Sequence, residues 1–189
     1  MKIIFVRHGI TQSNIEKKYS KPDTRLDKSG LYILDKTKSL LENYDIDEVY
    51  TSKLIRSQET AKELGFNDFK IDERLNEMDF GDFKGQNIYD VREEYKDFFE
   101  REKDFYFDIP YPNGESRQDV INRLRSFLDE KSQIDQNILA ISHGIAIRSS
   151  LFWILRDLSN WESFWIDNGS LTVYNIKNGK KLIESVNLI

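Results

Sequence analysis

The chain holds only two histidines, and both sit in the same setting: an apolar run, one further residue, then His-Gly, as Val6-Arg7-His8-Gly9 and Ile141-Ser142-His143-Gly144. Glycine after each histidine permits a tight turn and lets backbone N–H groups approach an anion closely. A third segment, Thr51-Ser52-Lys53-Leu54-Ile55-Arg56, leaves an apolar run and opens a helical pattern. That places Arg56 in a first turn, where unsatisfied N–H groups already favour negative charge. Arg7, Arg56 and two imidazoles brought together would form a site for a dianion. Guanidinium supplies charge in a rigid fork that stays protonated, and neutral imidazole is a competent nucleophile near pH 7. The residues alone leave open which histidine attacks.

These groups need a frame. Ile3-Ile4-Phe5-Val6 and Ile138-Leu139-Ala140-Ile141 are continuous apolar runs rich in β-branched residues, the pattern of strands buried on both faces, and Glu48-Val49-Tyr50-Thr51 is a third candidate. Amphipathic stretches at Leu31–Leu41, Ile55–Leu64, Val91–Phe99 and Val120–Leu128 predict helices between and after them. Ser170–Ile176, Asn178-Gly179 and Lys181–Val186 predict a C-terminal hairpin. The expected fold is a three-layer α/β/α arrangement with a mostly parallel sheet and an antiparallel C-terminal edge. In such sheets ligands bind beyond the carboxyl ends of the strands, where both histidines fall.

At 189 residues the chain reads as one domain, 1–189, with a helical cap insertion at about 78–115 that carries Tyr89, Tyr95, Phe98, Phe99, Phe105, Tyr106, Phe107 and Tyr111. With 28 Lys and Arg against 33 Asp and Glu, the net charge of −5 argues against nucleic acid or an anionic membrane as partner, so an anionic ligand needs a local positive pocket. The absence of cysteine excludes thiolate metal sites, cysteine nucleophiles and disulfides. The apolar run at the N-terminus is too short for a signal peptide or a membrane span, and a cytoplasmic location is expected.

Four blocks together resemble the histidine phosphatase superfamily, the phosphoglycerate mutase-like proteins: Arg7-His8-Gly9 with Thr11 and Asn14; Ser52, Leu54, Arg56, Ser57, Glu59, Thr60 and Ala61; Arg74 to Gly85; and Ser142-His143-Gly144. The resemblance runs through essentially the whole chain in order. It implies that His8 forms a phosphohistidine, that Arg7, Arg56 and His143 clamp the phosphoryl oxygens, and that Glu77 protonates the leaving oxygen and then activates water. Asp79 and Asp82 are the alternative acids. Thr11, Asn14 and the Gly144 N–H would add phosphate contacts. Ile10 and Lys21 depart from the common pattern, which often has an acidic residue and a glycine there.

The implied activity is hydrolysis of a small-molecule phosphomonoester without metal or other cofactor. The motifs around Leu75–Asp82 and Ile109–Glu115 look most like alpha-ribazole phosphatases, whose flat heteroaromatic leaving group an aromatic cap would suit. A broad-specificity phosphatase is the other candidate. A phosphoglycerate mutase is the nearest rival, though Gly85-Gln86-Asn87-Ile88-Tyr89-Asp90 lacks the basic residues mutases carry there. A binding module without catalysis is disfavoured because each matched position holds the expected residue. A metal triad of His8, His143 and Glu77 is opposed by the two arginine charges beside it.

Overall fold

The computed structural model describes residues 1–104 and 107–189, so Phe105 and Tyr106 lie outside the described residues. Six strands form one sheet in the order β3-β2-β4-β1-β5-β6. They are β1 (Lys2–Arg7), β2 (Glu48–Thr51), β3 (Lys70–Ile71), β4 (Ile138–Ser142), β5 (Leu171–Lys177) and β6 (Lys180–Leu188). Strands β3, β2, β4 and β1 pair in parallel, and β5 joins β1 antiparallel before turning back as β6. The turn uses Asn178 and Gly179, both at positive φ (52° and 73°), which is the backbone a tight two-residue hairpin requires.

The helices are α1 (Gln12–Ile15), α2 (Ile33–Leu41), α3 (Ile55–Glu63), α4 (Ile88–Glu94), α5 (Lys96–Asp104), α6 (Arg117–Lys131) and α7 (Gly144–Ser150). Side chains alternate along the strands, and both faces are covered. Ile3, Phe5, Tyr50, Ile138 and Ala140 pack with Leu124 and Phe127 of α6 and Ile147 of α7. Ile4, Val6, Val49, Leu139 and Ile141 pack with Leu34 of α2 and Ala61 of α3. The continuous apolar runs therefore become strands because neither face meets water. No described helix is long and apolar enough to cross a membrane.

The amphipathic stretch predicted at Val91–Phe99 is not one helix. It breaks at Tyr95, whose backbone (φ −109°, ψ 40°) leaves the helical region between α4 and α5. The Tyr95 ring packs on Phe83 at 4.8 Å, and Phe98 and Phe99 close on the same ring at 5.8 and 6.2 Å. The aromatics of this stretch thus cluster mainly with one another and with Tyr111.

The two ends of the 78–115 stretch are laced together: Glu115 N–H donates to Asp79 O (2.8 Å) and Asp82 N–H to Pro112 O (2.9 Å). Gly81 sits at φ +53°, and a Cβ there would lie 1.9 Å from Pro112 O. Gly65 has φ +95° with open space around its would-be Cβ. Gly81→Ala is expected to lose about 1 kcal/mol or more beyond Gly65→Ala, because backbone strain is common to both and the carbonyl clash is not. Urea unfolding of the two variants measures the difference.

Candidate active site

Parallel pairing aligns Arg7 with Ser142, and His8 N–H continues the ladder by donating to Ser142 O (3.0 Å). The two histidines therefore emerge side by side just past their strands, with ring centroids 5.0 Å apart. β2 lies on the other side of β4, and Ser52 N–H donates to Ile141 O (3.1 Å), so the second block reaches the same end of the sheet.

His8 is 3% exposed. Its Nδ1 lies 2.7 Å from Gly9 O. A carbonyl can only accept, so Nδ1 carries the proton and Nε2 keeps its lone pair. Burial, followed by Arg56 and Arg7, holds the imidazole well below its usual range, with the Gly9 bond opposing. Thr60 Oγ accepts from Gly9 N–H (3.0 Å) and donates to Arg56 O (2.7 Å), tying the turn to α3.

Asn168, which the sequence reading passed over, spans this turn. Its Nδ2 donates to His8 O (2.9 Å) and Gly9 O (3.2 Å) and approaches Asn14 Oδ1 (3.3 Å). Thr11 caps α1 through a reciprocal pair with Asn14: its hydroxyl donates to Asn14 Oδ1 (2.9 Å) and accepts Asn14 N–H (3.2 Å). Thr11 is thus engaged within the turn and buried, whereas Asn14 lines the cavity and has its Nδ2 to offer there.

Arg7 and Arg56 are anchored by one nitrogen each, Arg7 to Ile166 O (2.5 Å) and Arg56 to Lys21 O (3.0 Å). The Nε of each is buried without a hydrogen-bond partner. Burial brings Arg56 down to about 10, with Glu77 opposing and Arg7 adding to the shift, so it is charged at neutral pH. Gly144 lies under Arg7, where a Cβ would stand 3.4 Å from the guanidinium carbon.

Glu77 is placed by its loop. Ser142 Oγ donates to Leu75 O (2.7 Å), and Arg123 of α6 donates to Arg74 O and Asn76 O (2.7 Å each). The carboxylate then accepts from Met78 N–H (2.9 Å), Ala146 N–H (3.1 Å) and Ile145 N–H (3.2 Å) at the start of α7. Asp79 instead pairs with Lys84 (2.8 Å) and Asp82 accepts from Asn113 (2.9 Å), and neither lines the cavity that holds His8.

His143 is fully buried behind that cavity. Its Nε2 lies 2.7 Å from Ser52 Oγ, which lies 2.6 Å from Ser57 Oγ, which in turn donates to Leu54 O (2.8 Å). Its Nδ1 has no hydrogen-bond partner. Burial, then Arg56 and His8, lowers its affinity for a proton well below the ordinary value.

Arg7, His8, Asn14, Arg56, Glu77 and Gly144 meet on one cavity of about 370 Å³. Ile10 packs against Gly30, and Lys21 faces a neighbouring cavity. Among the described residues no three His, Asp or Glu side chains are arranged to hold a metal ion. A neutral nucleophile, two fixed cations and a carboxyl group suit attack on a tetrahedral dianion with proton transfer to the group expelled.

Comparison with known proteins places the chain in a family of phosphatases and mutases. The profile of the histidine phosphatase superfamily (branch 1) matches residues 3–189. Phosphoserine phosphatase 1 of Hydrogenobacter thermophilus is 28% identical over 100% of this chain and 92% of its own length. A 2,3-bisphosphoglycerate-dependent phosphoglycerate mutase of Methylorubrum extorquens is 27% identical over 93% of this chain and 89% of its own. The crystal structure of the alpha-ribazole phosphatase from Shigella flexneri superposes with a TM-score of 0.86 at 25% identity, covering 99% of this chain and 96% of that one.

Two buried neutral histidines make stability depend on pH. In the unfolded chain they bind protons near pH 6.5, while in the folded chain burial keeps their pKa values well below that. Their contribution is complete above about pH 6.5 and is lost as pH falls, at up to about 1.4 kcal/mol per pH unit for each. Urea unfolding between pH 6.5 and 5 is expected to show this slope, and His8→Asn should roughly halve the histidine share of it.

Proposed function

The chain belongs to the histidine phosphatase superfamily, and from that membership we propose that it hydrolyses small phosphomonoesters through a phosphohistidine on His8, without a metal ion. The observation that carries this reading is the Nδ1–H bond from His8 to Gly9 O, which leaves Nε2 unprotonated beside the buried Arg56 and half-buried Arg7 guanidinium groups.

The Nε2 lone pair attacks phosphorus in line with the ester oxygen, forming the N–P bond as the P–O bond to the alcohol breaks. Arg7 and Arg56 hold the equatorial oxygens, where charge accumulates, and supply most of the electrostatic stabilisation. His143 donates from Nδ1, its Nε2 being held by Ser52. The Asn14 amide and the Gly144 N–H, an orphan donor at the first position of α7, complete the cradle.

Glu77 delivers to the leaving alcohol a proton that it receives when the phosphoester binds as its monoanion. It then takes one from water, whose oxygen attacks the phosphohistidine; the N–P bond breaks, and inorganic phosphate and neutral His8 are regenerated. A phosphoglycerate mutase reading shares the first half of this sequence, and the relative from Methylorubrum keeps it in view. The stretch Gly85–Asp90 lacks the basic residues that mutases carry there, which favours hydrolysis over transfer. The clamp itself is blind to the alcohol: alpha-ribazole 5′-phosphate is the candidate with an uncharged alcohol, phosphoserine one with an acidic alcohol.

Wild type is expected to release phosphate from p-nitrophenyl phosphate at an undiminished rate in EDTA and to yield an acid-labile phosphoenzyme on rapid quench. His8→Ala should lose both turnover and label; full turnover in that variant overturns the mechanism. With 3-phosphoglycerate, ³¹P NMR separates free phosphate from the 2-isomer, and predominance of the isomer would establish the mutase instead.

Asn168→Ala frees the Gly9 carbonyl and the Asn14 amide together, and is expected to lower kcat roughly 10- to 100-fold. The acid limb of its pH–rate profile should also move, which simple loss of stability would not produce.

A further inference from the structure

Behind the phosphate cradle a short row of hydroxyl groups leads from a backbone carbonyl to His143. Ser52 follows directly on β2, and Ser57 stands in the first turn of α3; both are buried. Ser57 Oγ lies 2.8 Å from Leu54 O and 2.6 Å from Ser52 Oγ, and Ser52 Oγ lies 2.7 Å from His143 Nε2. Leu54 N–H also donates to Ser52 Oγ (3.2 Å).

Each of the three close contacts needs one hydrogen, and each hydroxyl has one to give. A carbonyl only accepts, so the contact with Leu54 O takes the hydrogen of Ser57. The contact between the serines then takes the hydrogen of Ser52, because two oxygens at 2.6 Å with none between them would repel. Ser52 Oγ is left to accept, from Leu54 N–H and from His143 Nε2–H. Moving the Ser57 hydrogen to Ser52 O, 3.2 Å away, changes nothing downstream. Run in the opposite sense, with Ser57 donating to Ser52 and Ser52 to Nε2, the row leaves Ser57 Oγ and Leu54 O facing each other at 2.8 Å without a hydrogen.

The sense of the row decides the state of His143. With its hydrogen on Nε2, the neutral ring carries a lone pair at Nδ1, the buried nitrogen without a hydrogen-bond partner. The surroundings agree. After burial itself, Arg56 on α3, His8 and Arg7 at the end of β1 and Arg123 on α6 all oppose a second proton on the ring. Glu77, fastened to Ile145 and Ala146 N–H, is the carboxylate on the α7 side. A lone pair suits a positive field better than an N–H does. His8 has the opposite tautomer, with its hydrogen on Nδ1.

A bound phosphoryl group reverses these conditions. Its charge offsets Arg7 and Arg56, and its oxygens require a donor where the free ring has a lone pair. We propose that Ser57, acting through Ser52, holds His143 of the unliganded chain as the Nε2–H tautomer, so that binding a phosphoryl dianion draws one proton from solvent onto Nδ1. This rests on the phosphatase reading and deepens it: proton uptake completes the clamp, and Ser57 is the positioning residue that makes it necessary. The proton is separate from the one that Glu77 receives, and it returns to solvent when phosphate leaves.

With two histidines in the chain, long-range ¹H–¹⁵N spectra of the labelled protein resolve every ring nitrogen, and His8→Asn assigns them. At neutral pH the wild type should show His8 protonated on Nδ1 and His143 on Nε2. Saturating sulfate, a dianion that brings no proton, should convert His143 to imidazolium. In Ser57→Ala the Ser52 hydroxyl is released to donate to Nε2, so His143 should become the Nδ1–H tautomer and stay neutral in sulfate, while Ser57→Thr restores the wild-type pattern. From about pH 7 to 8.5 the sulfate affinity of wild type should fall more steeply than that of Ser57→Ala, by a further factor of about ten per pH unit, the signature of one extra proton. A merely structural role for Ser57 would change affinity without changing that slope.

His143 protonated on Nδ1 in the sulfate-free wild type, a ring that stays neutral in saturating sulfate, or a wild-type pattern in Ser57→Ala overturns the proposal. None of these measurements needs turnover. Failure to hydrolyse any ester would therefore sink the phosphatase reading by itself, and the ring spectra would still decide the role of Ser57.

Discussion

The site depends on one pairing: β1 and β4 lie side by side, parallel and in register, so that two strand ends separated by more than a hundred residues deliver His8 and His143 to the same place. A shift of one residue in that register would turn every side chain of one strand to the opposite layer and carry its histidine away from the other. The register is held by apolar side chains packing into both helical layers, and the catalytic geometry inherits its precision from the hydrophobic core. Nothing at the site needs to be flexible for the groups to meet.

Within that frame the proposed chemistry is a problem of concentrating positive charge without protonating the histidine that would attack. Arg56 is buried and Arg7 half-buried beside two imidazoles. The same burial and the same positive field that would hold a dianion also keep the histidines neutral, so the electrostatics of binding and of nucleophilicity point the same way. Glu77 is the counterweight. Its charge opposes the loss of protons from both arginines, and it is fastened by the backbone of α7, the helix that follows directly on His143.

Much of this was legible in the sequence because periodicity and motif agreed. Continuous β-branched runs could only be strands covered on both faces, and repetition of His-Gly after two of them implied adjacent ends. What escaped had weaker signals. β3 is two exposed residues with no pattern to read. α7 is short and built from Gly, Ile, Ala, Arg and Ser, a poor helix by propensity, and it exists because Ala146 and Ile147 are buried in the core. The break at Tyr95 arises from aromatic packing on Phe83, which is invisible to helical spacing. Asn168 and Arg123 act through backbone carbonyls far away in the chain, and a lone Asn or Arg announces no such role. Arg7-His8-Gly9 with Thr11 and Asn14 could be read as one block; that Thr11 serves Asn14 needed the turn itself.

The order of the strands also sets the order of assembly. β4 is fourth in the chain but lies directly between β1 and β2 in the sheet, so on the ribosome the first two strands emerge with their inner edges bare until residue 142 has left the exit tunnel. β5 and Asn168 arrive later still. At about 5–20 residues per second the chain spends several seconds with these edges unsatisfied. Long-range parallel pairing is slow to form and exposed to aggregation meanwhile, and no N-terminal fragment short of β4 can hold a working site.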